Sequence, residues 1–350
     1  MNVVDATRSY ESWLSKQTAV VKTDLREKHA RMDKSPFEFL RATFYRWVQL
    51  WPTACPHHAE APTILGVGDL HLENFGTWRD TEGRLMWGIN DLDEAHPVAY
   101  TSDLVRLATS AVLAARRGEL QVSTRTACDA ILEGYQDAIG RGGQPIVLAE
   151  RRRWLRRIAI RQLRDPQTFW KEFTSAETTR GRIPREALRT LLPAKVPYRV
   201  IARRAGVGSL GRPRFVALTE WGGARIAREA KALIPSAAVW ASRKRSNRAY
   251  ISDLLDRAIR IPDPFYRVAD KWVVRRLAPD CTKIEMSDLP KGQEAKLLRA
   301  MGWETGNLHL ANDVSPITQD LRARPNAWLR DAARDMADVV IRDWRAWRSR

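Results

Sequence analysis

The stretch GVGDLHLENFG, residues 66–76, sets a carboxylate (Asp69), an imidazole (His71), a second carboxylate (Glu73) and an amide (Asn74) between glycines. A carboxylate on such a loop can take the proton of a substrate hydroxyl. An amide oxygen a few residues on can hold a hard divalent cation. Two more acids, Asp91 and Asp93, follow in MWGINDLDEA, residues 86–95. Far downstream, GVGSLG (206–211) places Gly206, Gly208, Ser209 and Gly211 in a G-x-G-x-x-G pattern. Alone, that pattern is a weak sign, because glycine turns are common. The plain alternative for Asp69, Asn74 and Asp91 is that Asp and Asn side chains cap loops and form turns.

The elements around these residues follow from local pattern. TILGV (63–67) reads as a short buried strand running into the loop. GTWRDTEGRLMWGIND reads as a hairpin with DTEG as its turn. Ser35, Pro36 and Glu38 make a helix start, and SPFEFLRATFYRWVQLW (35–51) is expected as one helix. Residues 101–118 form a helix with Leu104, Leu107, Ala108, Ala111, Val112 and Ala115 on one face, stopped by Gly118. A further helix covers 124–140, and the basic 149–165 stretch is a helix with Leu155, Ile158 and Leu163 turned inward. Three prolines (Pro184, Pro193, Pro197) make a connector, after which RFVALTEWGGARIAREA is a hairpin and KWVVRRLA (271–278) a strand. The end is helical, with Leu329, Ala333, Met336, Val340, Trp344 and Trp347 in one packing stripe. The fold class is therefore α+β: helices with one small hairpin, a small sheet, then helices.

At 350 residues the chain can bury a large core, and 44% hydrophobic with 29% charged residues is ordinary globular composition. Cys55, Cys128 and Cys281 are too scattered for a disulfide framework or a zinc site, so a reducing cytoplasm is expected. The N-terminus lacks the pattern of a signal peptide, and no apolar run is long enough for a membrane span. The net charge of +18 points to an anionic partner, nucleic acid included. Its plain reading is arginine decorating solvated helix faces.

VGDLHLEN, INDLDEA and SDLVRLA, in that order, resemble the catalytic loop, metal-binding turn and following helix of aminoglycoside- and choline-type phosphotransferases. Over residues 30 to 345 the chain also resembles the bacterial family catalogued as domain of unknown function 2252, through GDLHLENFG, NDLDE, DLVRLATS, GVGSLG, REAKA and RRLAP. The kinase-like resemblance implies a two-lobe fold in circularly permuted order, the helical catalytic lobe first and the β-rich nucleotide lobe later. The lobes are expected at 1–180 and 181–288, with C-terminal helices 289–350 packing back on the first. It implies ATP and magnesium as cofactors, Asp69 as base and Asn74, Asp91 and Asp93 as metal ligands. His71 joins Asp69 in the catalytic group, chiefly to hold the loop. Gly206, Gly208, Ser209, Gly211, Arg228, Lys231 and Arg275 are implied at the nucleotide, with Arg228 where a kinase carries its phosphate-binding lysine. Asp103 supports the loop from its helix, Glu73 is expected to be exposed, and His309 is a satisfied core histidine. One departure is Val67, where the related loops have histidine.

The function implied is a Mg-ATP-dependent transfer of phosphate to a hydroxyl of a small acceptor, which a Lys/Arg-rich cleft suits to an anionic one. The alternatives are an inactive kinase-like or basic nucleic-acid-binding protein, and a metallophosphoesterase, since GDLH and GNLH (306–309) are similar to that class's metal motifs.

Overall fold

The computed structural model describes all residues except 180, 181, 244, 245, 247, 287, 288 and 291. The expected lobe boundaries at 180/181 and 288/289 fall on these residues and so lie outside the described set. The chain begins with α1 (Val3–Gln17), α2 (Lys22–Met32), α3 (Pro36–Ala42), α4 (Phe44–Ala54) and α5 (Pro56–Ala59). Strand β1 (Thr63–Gly66) enters the GDLHLEN loop, β2 (Phe75–Arg79) and β3 (Leu85–Ile89) form a hairpin, and β4 (His96–Ala99) returns to pair with β1. Helices α6 (Tyr100–Arg116), α7 (Thr124–Arg141), α8 (Arg153–Arg161), α9 (Pro166–Thr174) and α10 (Arg185–Arg189) follow. Next come β5 (Arg199–Ala202), β6 (Arg214–Trp221), β7 (Ala224–Ala232), α11 (Ala237–Ser242), α12 (Ile251–Leu255), β8 (Tyr266–Ala269) and β9 (Trp272–Leu277). The chain closes with α13 (Glu294–His309), α14 (Ser315–Ala323) and α15 (Trp328–Arg348). Among the described residues no helix is long and apolar enough to cross a membrane.

Helix α6 is the axis of the first part. Every residue from Tyr100 to Ala114 is buried, not only the expected apolar face. The charged ones among them, Asp103 and Arg106, are enclosed because they bond to the loop at residues 67–69. The helix expected over 35–51 is broken at Thr43, whose backbone leaves the helical region and whose Oγ1 donates to Phe39 O at 2.6 Å. The break lets α4 start afresh and bring Phe44 and Trp47 against the Arg106 guanidinium. Helix α13 crosses α7 closely through glycines. A Cβ on Gly134 would lie 1.9 Å from Arg299 O, and one on Gly302 would lie 2.0 Å from Ile131 O.

The second part is an antiparallel sheet in the order β5-β6-β7-β9-β8. Its β6–β7 hairpin turns at Gly222 and Gly223, both at positive φ, as a two-residue turn between twisted strands requires. The proline-broken stretch is more than a connector. Its helix α10 buries Ala187 and Leu188 against Ala217, Ala230 and Val274 on the back of the sheet. The basic helix α8 is shorter than the expected 149–165, because Arg152 at φ 53° cannot continue a helix. It buries Leu155, Ile158 and Ala159, while Leu163 lies beyond its end.

Candidate functional site

The two parts face each other across a cavity of about 670 Å³, lined among others by Asp69, His71, Asn74, Asp91, Asp93, the 206–209 loop and Arg275. The floor is the GDLHLEN loop. Gly68 sits at φ +84°, where a Cβ would strike Glu94 O at 2.3 Å, so the turn that presents Asp69 needs glycine. The backbone N–H groups of Val67 and Gly68 donate to the Asp103 carboxylate at 2.6 and 2.9 Å. Asp103 in turn meets His309 Nε2 at 3.0 Å, and His309 Nδ1 meets the Tyr135 hydroxyl at 2.9 Å. Burial raises the Asp103 pKa, but His309 and the two N–H donors outweigh it and hold it low. His309 is therefore consumed in the core, and the GNLH segment does not reach the cleft.

Asp69 points into the cavity. Its Oδ1 accepts from Arg106 Nε at 3.0 Å and Nη2 at 2.5 Å. Burial pushes the Asp69 pKa up, against the pull of Arg106. Asn74 acts as a clamp: Nδ2 donates to Asp69 O and Asp91 O, and Oδ1 accepts the Asp91 N–H at 3.1 Å. This joins the GDLHLEN loop to the end of the β2–β3 hairpin. His71 Nδ1 accepts the Glu73 N–H at 3.2 Å, and burial with nearby Arg41 and Lys283 holds the ring neutral well below its usual range. Glu73 is not exposed as expected. It is half-buried, with Oε2 2.6 Å from Arg41 Nη2, because α3 lays Arg41 over the loop.

Asp91 Oδ1 accepts from Lys231 Nζ at 3.0 Å, and Asp93 Oδ2 forms an ion pair with the same ammonium. The Asp91 side chain is 46% exposed toward the cleft. Asp93 is buried and its Oδ1 has no hydrogen-bond partner. Enclosure raises both pKa values. For Asp91 the Lys231 and Arg275 cations outweigh it and hold the group well below the usual range. For Asp93 enclosure and the Asp91 charge prevail, and the group is pushed up. Arg212 completes the cluster, donating to Glu94 Oε1 at 2.7 Å with Asp93 Oδ2 at 3.5 Å. Among the described residues no three His, Cys, Asp or Glu side chains converge as a ready metal set. Asp91, the orphaned Asp93 Oδ1 and the remaining lone pair of Asn74 Oδ1 still suit magnesium. That ion uses one or two carboxylates and takes its other ligands from water and phosphate.

The roof is the 203–213 turn between β5 and β6. Gly206 and Gly211 are at positive φ. A Cβ on Gly208 would lie 3.0 Å from Arg41 O and 3.3 Å from Asp69 Oδ2, so the glycine turn rests on the Asp69 loop. From outside, α2 holds it: Lys28 Nζ donates to Gly208 O at 3.1 Å, Arg204 pairs with Asp24, and Val21 N donates to Gly211 O. Burial beside Arg212 lowers the Lys28 pKa to about 8. Ser209 Oγ accepts from Arg214 Nη2 at 2.7 Å.

The structure does not bring Arg228 to this cleft. Its Nε donates to Leu191 O and its guanidinium lies over the Phe265 ring, on the back of β7. Strand side chains alternate, so Glu229's neighbour Arg228 must face away from Glu229 and Lys231. Lys231, on the opposite face of β7 from Arg228, is enclosed against Asp91 and Asp93. Arg275 is brought in, its Nε 2.8 Å from Glu229 Oε2. Sequence reasoning missed Arg106, Arg212, Arg214, Arg203 and Glu229. The Asp103–Arg106 helical spacing carried a signal for Arg106, while Arg203, Arg214 and Glu229 become neighbours only through strand pairing.

A family model described as an uncharacterised protein conserved in bacteria, DUF2252, matches residues 20–187. That span contains the Asp69 loop, the Asp91 turn and the Asp103 helix. It stops short of the glycine turn, which the sequence resemblance includes. No curated protein and no solved structure matches the chain.

Proposed function

We propose that this chain is a Mg-ATP-dependent phosphotransferase acting on a hydroxyl of a small acceptor, with a kinase-like two-lobe architecture in permuted order. The observation that supports it most is one contact across the cleft. Gly208, in a glycine turn between two strands, rests on the Asp69 carboxylate, and Asp91 and Asp93 meet Lys231 beside it.

In this reading Asp69 Oδ2 receives the proton of the acceptor hydroxyl while Arg106 fixes the carboxylate through Oδ1. Asp91, Asp93 and Asn74 would hold magnesium, which supplies charge neutralisation on the phosphates. The 206–209 turn, Lys231 and Arg275 face the donor phosphates. Arg41 and Lys283 line the side of the cleft near His71 and offer cationic groups to an anionic acceptor. Most of the rate would come from positioning and fixed charge.

The test is thermal stabilisation by ATP with and without magnesium, on the wild type and on Asp91→Ala. Ligand binding to the native state raises its stability by mass action. A magnesium-dependent rise that Asp91→Ala abolishes supports the reading, and its absence in the wild type removes it. A second reading, a nucleic-acid-binding protein, draws on α8. Its Arg153, Arg156, Arg157 and Arg161 are exposed and, among the described residues, have no acidic partner. Salt-sensitive nucleic-acid binding without any response to ATP would favour it.

A further inference from the structure

Under the glycine turn, four adjacent strands contribute to a single charged row. Arg203 follows β5 and its N–H extends the ladder to Arg214 O at 2.9 Å. Arg214 opens β6, Glu229 lies on β7, and Arg275 stands directly opposite Glu229 on β9. All three guanidinium groups converge on the one carboxylate: Arg203 Nη1 at 2.6 Å, Arg214 Nη1 at 2.7 Å and Arg275 Nε at 2.8 Å. Glu229 is fully enclosed, and although burial raises its pKa, the three cations overwhelm that and hold it ionised.

A buried carboxylate needs one guanidinium partner to offset its desolvation, and a second already exceeds its charge. Three cations on one anion leave the row with an excess of positive charge in a partly enclosed cleft, offset only in part by Asp91 near Arg275. Such an excess is costly unless an anion from outside meets it. The donors for that anion are present. Arg203, Arg214 and Arg275 all line the cavity. Arg203 Nε is buried without a hydrogen-bond partner. Among the described residues, Arg275 spends only its Nε, leaving both Nη groups for a ligand. Arg214 joins the row to the glycine turn through Ser209. Planar guanidinium forks suit phosphate oxygens, two N–H groups to two oxygens.

We infer that the row Arg203–Arg214–Arg275, held by Glu229, is an oligophosphate-binding plate. Through it the protein grips its donor by the phosphate chain. The chain can belong to a nucleoside triphosphate or be a free inorganic oligophosphate. The inference rests on the phosphotransferase reading for calling this ligand the donor; the binding itself does not depend on transfer.

The experiment is calorimetric titration of the full-length protein with tripolyphosphate, ATP and adenosine, each with and without magnesium. Tripolyphosphate is expected to bind within about threefold of ATP, to compete with it, and to weaken with salt, while adenosine gives no heat and does not compete. Arg203→Gln and Arg275→Gln are each expected to weaken tripolyphosphate and ATP alike, by about tenfold or more. ATP binding without tripolyphosphate binding, or competition by adenosine, overturns the plate, and neither result needs a variant to fold. Folded variants that bind tripolyphosphate as the wild type does overturn it as well. The two proposals fail separately. Tripolyphosphate binding with no transfer to any hydroxyl keeps the plate and removes the phosphotransferase. Transfer from ATP with no tripolyphosphate binding does the reverse.

Discussion

Arg106 places both Nε and Nη2 on the same oxygen of Asp69, at 3.0 and 2.5 Å, with its guanidinium 5.0 Å from the Phe44 and Trp47 ring centres. One carboxylate oxygen is thereby fixed, and the other, Oδ2, faces Gly208. The arrangement makes Asp69 a group whose position depends on a helix residue that does not itself line the cleft.

Asp69→Asn is expected to lower phosphate transfer by about 10²- to 10⁴-fold with ATP affinity retained, because it removes the proton acceptor and keeps the shape. Arg106→Gln should act on the fold as well, since it leaves the buried Asp69 without its cation. A loss of about 3–5 kcal/mol in urea unfolding is expected. A loss under about 1 kcal/mol would show that Asp69 is satisfied without Arg106.

Lys231 offers a second test. Its ammonium is the cation that Asp91 and Asp93 share. In Lys231→Met the two carboxylates are left together, and the melting temperature should fall. Magnesium alone should then restore more stability to the variant than to the wild type. Equal magnesium responses in both proteins would exclude a cation site at this pair.

Glu304 gives a pH signature away from the cleft. It lies under Gly88 and Ile89, accepts from Asn307 Nδ2 at 2.9 Å, and burial raises its pKa from 4.5 to about 7. The folded state then keeps a proton that the unfolded chain releases above pH 4.5. Its contribution to stability is full below that pH and is lost as pH rises toward 7. The difference between wild type and Glu304→Gln, measured by denaturant unfolding, should shift by about 2–3 kcal/mol between pH 5 and pH 7.5, with the wild type losing ground. A pH-independent difference would place Glu304 as ionised in both states.

Gly208→Ala probes the contact between roof and floor. The new methyl would press on Arg41 O and Asp69 Oδ2 at 3.0–3.3 Å, which the loop must relieve by shifting. Transfer should drop about tenfold, with stability changed by about 1 kcal/mol or less. Unaltered transfer would mean that the seat of the glycine turn on Asp69 plays no part in the proposed reaction.

Much of the site was readable because it is local. The DLHLEN loop, its hairpin and the Asp103 helix are contiguous, and their order along the chain is their order in space. Val67 and Gly68 need an acceptor for their N–H groups, and Asp103 stands on the next helix to supply it. Arg228 was misplaced for a different reason. A motif match ignores strand parity, whereas the pleat sends Arg228 behind the sheet and leaves Lys231 in front. The charged row could not be read at all, since Arg203, Arg214, Glu229 and Arg275 become neighbours only through the β5-β6-β7-β9 pairing. The break at Thr43 was hidden because the periodicity of 35–51 continues across it.

The hold of α2 on the glycine turn limits how the roof of the cleft can move. The turn cannot lift from Asp69 as a free flap, since Lys28, Val21 and Asp24 grip it at three points. Lifting the turn requires those three grips to part, or the first helices to move with the sheet. The roof of this cleft is thus part of a packed body, tied to α2 at three points, and not a loop standing free in solvent.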